Sequence, residues 1–426
     1  MEQQAYYAIA IFLVVYALII SEKIHRTIVA MLGGTLVIAL GIVDQAEAIR
    51  HIDFNTLGLL IGMMIIVNIT ADTGVFAYAA LWAAKKAKGD PVRILIALML
   101  ITAVASAFLD NVTTVLLIVP VTFSIARQLN VSPVPYLFTQ IMASNIGGTA
   151  TLIGDPPNIM IGSAVKELTF MAFINNLAPI ATVILLVHIP LFLLLFRKQL
   201  RTAPEHKEKL MQLELTGMIT DRKRLALSGS ILLFTMAGFV LHSFLHLESA
   251  TVALAGAFIL LLLTGERTME HALTRVEWGT IFFFTGLFVL VSSLEQTGVI
   301  ERLASEAIGW TGGDPVATSM LILWMSAIAS AFLDNIPFVA TMIPMIQEMG
   351  QMGVIHLEPL WWSLSLGACL GGNGTLIGAS ANLITAGLAA KEGHPIKFAA
   401  YIKIAFPLML LSIAICSIYI YLRYLM

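Results

Sequence analysis

An all-α polytopic membrane protein, built from two inverted-topology repeats, is what this sequence predicts. Three observations carry the prediction. First, 58% of the 426 residues are hydrophobic and only 12% charged, against about 25% charged in an ordinary soluble domain. Second, apolar runs recur from end to end at lengths near the ~20 residues that cross a bilayer as a helix. Third, the chain repeats itself at a constant offset of 224: ASAFLDNVTTVLLIVP at 105–120 matches ASAFLDNIPFVATMIP at 329–344 in 9 of 16 positions. GGTATLIGDPPN at 147–158 likewise matches GGNGTLIGASAN at 371–382 in 7 of 12.

The elements follow in order. In the first repeat, 1–196, spans are predicted near 5–20, 27–43, 54–72, 135–165 and 172–196. The polar segment 197–224, with RKQLRTAPEHKEK and DRKR, links it to the second repeat, 225–426. Spans there fall near 225–242, 250–265, 278–296, 359–390 and 399–422. Segments 93–127 and 316–349 each place Asp-Asn at the middle of two half-helices, and each reads as a re-entrant hairpin entering and leaving on one side. Non-helical backbone at membrane depth is tolerated only where protein or a cavity surrounds it.

With the N-terminus outside, this layout puts 20 of the 24 Lys and Arg on the cytoplasmic side; Arg50, Lys166, Arg302 and Arg423 are the external four. Crossing each hairpin segment as one helix weakens that bias, so the positive-inside rule favours hairpins. Five crossings per repeat then insert the second half upside down, as in many secondary transporters. Both termini are expected outside and linker 197–224 in the cytoplasm, in a multi-pass protein of the cell membrane. Met1-Glu2-Gln3-Gln4 lacks the basic region of a cleaved signal peptide.

An ionisable residue inside a membrane costs about 2.5–3.5 kcal/mol on insertion scales, so it is a functional candidate. Asp110 and Asp334 sit at the expected hairpin tips beside Asn111 and Asn335. Each begins a half-helix, where a carboxylate is also an ordinary cap. Pro156-Pro157 breaks the helix within Gly147–Asn158, because neither proline can donate a backbone hydrogen bond. Both glycine-rich segments therefore read as discontinuous helices whose unwound backbone faces a site, the bland alternative being small-residue packing. The repeats differ where Asp155 becomes Ala379 and Thr149 becomes Asn373. Three carboxylates, Asp110, Asp155 and Asp334, with no Lys or Arg inside a predicted membrane core, suit a cation or a neutral hydroxylated solute. They disfavour a di- or tricarboxylate unaccompanied by cations.

Weaker signals read as structural. Cys369 is expected to be a packing residue, His188 a hydrogen-bonded core histidine, and His242 with His246 an incomplete metal pair. Asn68 and Ser292, paired by the repeat, line the pathway or bond across helices. Cys369 and Cys416, the two cysteines, exclude a disulfide framework or a cysteine-rich metal site. No basic face for nucleic acid appears, and no cofactor is expected beyond Na+ or H+ as coupling ion.

FLDNVTT followed by GGTATLIGDPPN resembles the ion transporter superfamily. The likeness is to the branch of ArsB arsenite permeases, NhaD sodium/proton antiporters and the P protein, nearest to the P-protein-like members. It covers nearly the whole chain. It implies a homodimer with a fixed scaffold and a mobile transport domain working as an elevator. Carried over by position, the implied site is Asp110, Asn111, Thr113, Gly147, Gly148, Thr151, Gly154 and Asn158, with Asp334, Asn335, Gly371, Gly372, Asn373, Thr375 and Asn382; Asp155 joins it as the third carboxylate, and Asn145 is included as well. Pro337 replaces Thr113 at the second tip, and both tips read Asp-Asn where dicarboxylate carriers have Ser-Asn-Thr.

The functional expectation is a secondary active transporter of a small inorganic ion or oxyacid, by arsenite/antimonite-type efflux or Na+/H+ exchange, with Asp110 and Asp334 binding the coupling cation and the half-helix termini holding the solute. The alternatives are a P-protein-like anion transporter or channel, or a dicarboxylate/citrate-type carrier. An intramembrane aspartyl protease is disfavoured, because both aspartates occur as Leu-Asp-Asn in symmetric repeats without Tyr-Asp and Gly-x-Gly-Asp settings.

Overall fold

The computed structural model describes residues 2–21 and 23–426, and all regular structure among them is helical. The first repeat runs α1 (Glu2–Ser21), α2 (Arg26–Ala39), α3 (Gln45–Arg50), α4 (Phe54–Ala71), α5 (Val75–Lys86), α6 (Pro91–Phe108), α7 (Asn111–Leu129), α8 (Val134–Thr149), α9 (Pro156–Ala164) and α10 (Phe170–Phe196). A short α11 (Pro204–Gln212) lies in the link. The second repeat runs α12 (Arg222–Leu245), α13 (Ser249–Thr264), α14 (Glu266–Thr274), α15 (Trp278–Gln296), α16 (Val299–Thr311), α17 (Pro315–Phe332), α18 (Asn335–Gln351), α19 (Glu358–Gly371), α20 (Ser380–Lys391) and α21 (Phe398–Ile420). Every predicted span has its helix. The short helices α3, α5, α11, α14 and α16 were not foreseen; they are too brief to cross a bilayer.

The repeats interlock rather than sit side by side. α2 packs along α15 and α4 along α13, while α7 meets α20 and α18 meets α9. Each contact thus has its repeat-related partner, as a pseudo-two-fold axis requires. Glycines permit the closest of these approaches: a Cβ on Gly62 of α4 would lie 2.7 Å from the Ala253 carbonyl carbon of α13. On Gly286 of α15, at the same offset, it would lie 2.6 Å from that of Ala30 in α2.

Among the described residues nine helices have the length and apolarity to cross a membrane, and α6, α7 and α17 are among them. Geometry nonetheless makes α6–α7 a hairpin. Asp90, just before α6, lies 3.6 Å from Lys207 of the link, and the carbonyl of Leu129, ending α7, accepts a hydrogen bond from Thr202 of the link. Both ends of the pair therefore return to one face. Leu109 and Leu333 are extended, at φ −117° and −118°, which terminates α6 and α17 and turns the chain back at Asp110 and Asp334.

The same face, the linker face, gathers Asp72 with His271 and Arg275, and Thr220 bonded to the Asp72 carbonyl. The opposite face gathers Lys166 with Glu248 (2.8 Å) and His51 with Glu295 (3.6 Å). These are the groupings that five crossings and one hairpin per repeat demand.

Candidate functional site

The two hairpin tips and the two helix breaks converge in the protein interior. Asp155 lies at the break before Pro156, the first residue of α9, and is 1% exposed. Its Oδ1 accepts from Asn111 Nδ2 of the first tip (3.4 Å) and from Asn335 Nδ2 of the second (3.5 Å). Its Oδ2 takes no hydrogen bond among the described residues. A small chamber of about 30 Å³ adjoins it, lined by Asp110, Asn111, Asp155, Glu277, Thr280, Asn335, Ser380 and Arg26 among others.

Behind Asp155 runs a ladder of buried amides. Asn111 Nδ2 also donates to Asn145 Oδ1 (3.1 Å), and Asn145 Nδ2 donates to the Oδ1 atoms of Asn373 (2.9 Å) and Asn382 (3.0 Å). Asn158 and Asn382 tie down the unwound segments. Asn158 Nδ2 donates to the carbonyls of Thr149 and Thr151, and Asn382 Nδ2 to those of Gly372 and Thr375. Thr151 and Thr375 donate to the carbonyls of Ala107 and Ala331, repeat equivalents in the hairpin arms. Such pairing satisfies backbone groups that lie outside any helix, which an apolar interior requires.

The glycines serve approach of backbones. Gly147 stands against Ala103 of α6 and Gly371 against Ala327 of α17, while Gly148 faces Gly154 across one break and Gly372 faces Gly378 across the other. The small-residue alternative holds for Gly147, Gly148, Gly154, Gly371 and Gly372 at these contacts, and it places the site by letting α8 and α19 press on the hairpins.

The tips differ. Asp110 caps α7, accepting from Thr113 N (2.8 Å) and Thr113 Oγ1 (2.5 Å). Asp334 caps α18 through Ile336 N (3.2 Å) alone. Pro337 offers no hydroxyl there, and Asp334 Oδ2 instead meets Arg26 Nη1 at 2.5 Å. That guanidinium also donates to Ser380 Oγ (2.7 Å). The expectation of a site without Lys or Arg is therefore corrected. Arg26 begins α2, one residue outside the predicted span, and its long side chain reaches inward from a helix end. Glu277, Thr280 and Ser380 were also missed. One signal was available for Glu277: it lies 224 residues from Asp53, and Thr280 the same distance from Thr56, so both pairs repeat a carboxylate and a hydroxyl. Glu277 accepts from Thr280 Oγ1 at 3.1 Å and Asp53 from Thr56 Oγ1 at 2.5 Å.

The minor candidates sort plainly. Cys369 is the repeat equivalent of Asn145 and donates to Asn158 Oδ1 at 3.5 Å, beside Ser365 Oγ at 2.6 Å. His188 bonds its own helix through the Ile184 carbonyl (2.8 Å) and sits 3.4 Å from Ser412 Oγ. Asn68 donates to the Arg275 carbonyl at the linker face, away from the tips. No group of three metal-ligating side chains occurs among the described residues.

Residues 16–367 match the CitMHS family, described as citrate transporters. The chain belongs to that family. An uncharacterized transporter of Mycobacterium tuberculosis is 43% identical over 423 residues, covering 98% of each chain. The human P protein is 36% identical over an alignment of 501 positions that spans 98% of this chain and 60% of the P protein. The resemblance to P-protein-like members is thereby shown. Among solved structures, the YdaH transporter of Alcanivorax borkumensis shares the fold, with a TM-score of 0.61 at 12% identity over 98% of this chain and 97% of that one. The protein is thus a multi-pass membrane transporter of the CitMHS family.

Proposed function

We propose that this protein is a secondary active transporter that couples H+ or Na+ to a small solute, with Asp155 as the residue that carries the coupling cation. The observation behind this is the buried Asp155 carboxylate, held on one oxygen by two tip asparagines, while the other takes no hydrogen bond of ordinary geometry among the described residues and has only the Cys369 thiol beside it. Uncompensated ionised carboxylates are costly in such surroundings, so Asp155 needs a proton or a metal cation on Oδ2. Asp110, Glu277 and Asp334 line the chamber and its rim with a single guanidinium, Arg26, among the described residues, so carboxylates outnumber guanidinium and a cation is drawn in. Both tip asparagines come from the hairpins, so occupancy of Asp155 is felt directly by the elements that move.

The scaffold in this reading is α1–α4 with α12–α15, and the hairpins with α8–α9 and α19–α20 form the mobile unit. The chamber touches the scaffold at Leu60, Met64, Glu277 and Thr280. Their repeat equivalents are Phe284, Phe288, Asp53 and Thr56, and a cavity of about 240 Å³ on the opposite face is lined by Asp53, Phe288, Ser292 and Glu295. An elevator would carry the tips from the first set to the second. With the linker in the cytoplasm, as the charge bias favours, the present arrangement faces inward. Assembly as a homodimer through the scaffold belongs to the same proposal.

Arsenite/antimonite efflux and Na+/H+ exchange remain our first candidates for the cargo, as for ArsB- and NhaD-type permeases. The family description favours a citrate-type carrier as the second, and Arg26 beside the chamber supports that reading. The test is reconstitution in liposomes holding a pH-sensitive dye, with Na+, Li+, arsenite and citrate gradients imposed in turn. Cation-linked transport that disappears in Asp155→Asn supports the proposal. Undiminished coupling in that variant, folded and inserted, refutes it.

A further inference from the structure

Arg26 stands at a junction. On its inner side is the chamber containing Asp155. On its outer side opens a second cavity, of about 280 Å³, lined by Arg26, Asp334, Ser380, His25 and otherwise apolar side chains including Ile20 and Phe332. Arg26 and Ser380 line both cavities, so the Arg26–Asp334 pair and the Ser380 hydroxyl form the partition between them. The guanidinium is further fixed over the Phe283 ring, 5.1 Å from its centroid. Arg26 is not wholly buried: its side chain is 28% exposed and that of Asp334 14%.

We propose that Arg26 and Ser380 form a recognition site for an organic carboxylate, a small monoanionic acid with an apolar body, and that Asp334 occupies this site as an internal stand-in. The chemistry of the pair points that way. A guanidinium with an adjacent hydroxyl is a carboxylate receptor, and a carboxylate of the protein sits in it. The cavity that opens there has a polar end and apolar walls, the match for a charged head on an apolar body. An incoming carboxylate replaces Asp334 Oδ2 on Arg26, the partition opens, and the freed Asp334 faces the chamber. The repeat supplies the second observation. Arg26 corresponds to Ala250, and Ser380 to Pro156, so neither receptor group exists on the opposite face. Built from both repeats, the site has no repeat-related counterpart, as a recognition site rather than a scaffold feature would.

This inference rests on the transporter reading but fails separately from it, because its test measures binding and not cation coupling. Benzoate is the probe, titrated against the thermal unfolding of the full-length protein in detergent. Benzyl alcohol serves as its uncharged analogue, phosphate and chloride as inorganic anions, and oleate as a membrane-derived carboxylate. Wild type is expected to bind benzoate weakly, since an intramolecular carboxylate at high effective concentration competes. Asp334→Asn removes the competitor and should bind benzoate at least ~10-fold more tightly. Arg26→Gln should lose binding, and Arg26→Lys should retain part of it. If Asp334→Asn does not fold, the comparison of Arg26→Lys with Arg26→Gln decides the matter, since Lys keeps a cation against Asp334. Equal benzoate binding in wild type and Arg26→Gln overturns the proposal, as does equal binding of benzyl alcohol. Phosphate or chloride matching benzoate overturns the apolar body. Oleate binding without benzoate binding makes it a lipid site and overturns the solute reading.

Discussion

Substituting Gly371 by alanine tests how the site is positioned. A Cβ there would lie 2.5 Å from the Ala327 carbonyl oxygen and 2.6 Å from its Cα. Ordinary contact is about 3.4 Å, so α19 must retreat from α17 by roughly 0.9 Å. The obstacle is backbone, so no side chain can swing aside. Overpacking of this kind costs about 1–3 kcal/mol, and the better helix propensity of alanine returns up to about 1 kcal/mol. The net expectation is destabilisation by about 1–2 kcal/mol. Function should suffer more than stability. Asn373, two residues on, accepts from Asn145 at 2.9 Å, and a retreat of that size stretches the bond past useful geometry. Transport in liposomes and unfolding in detergent are measured together. Gly229→Ala is the control, since a Cβ there meets nothing within 4 Å; it should be neutral or slightly stabilising. Wild-type stability and wild-type transport in Gly371→Ala would refute the close-packing argument.

Asn145→Ala removes the donor to Asn373 and Asn382 and the acceptor for Asn111, so it should cost about 1–3 kcal/mol and abolish transport, read by unfolding and flux. His188→Phe should leave transport within about twofold of wild type, because His188 bonds its own helix and the Ser412 turn of α21 rather than the tips; a changed pH profile would assign it a proton relay instead. Cys369, 1% exposed, should resist thiol reagents in the native protein, and its rapid labelling would show that the chamber opens far beyond its volume of about 30 Å³.

The fold was legible because its signals are periodic and long. The 224-residue offset fixed the repeat, and the Asp-Asn pairs marked where each hairpin turns. Pro156 marked the first break; the second, which lacks those prolines, was legible only through its repeat partner. The short helices escaped because amphipathic segments beside a membrane carry weak hydropathy. At the site, Asp110, Asp155 and Asp334 were all visible as carboxylates in apolar settings. Their division of labour was not, since Thr113 occupies Asp110 while Asp155 is left open. Arg26 escaped for a physical reason: hydropathy assigns a residue by its Cα, whereas an arginine acts several ångströms away.

The interlocking of α2 with α15 and α4 with α13 has a consequence for biogenesis. Partners roughly 200–250 residues apart must find each other after both are made, so the first half waits in the bilayer with its packing faces bare. Gly62 and Gly286 seal those faces only on contact with Ala253 and Ala30. Neither half has a finished core of its own, and maturation of the chain must end with a docking step between two inserted halves rather than with the insertion of its last helix.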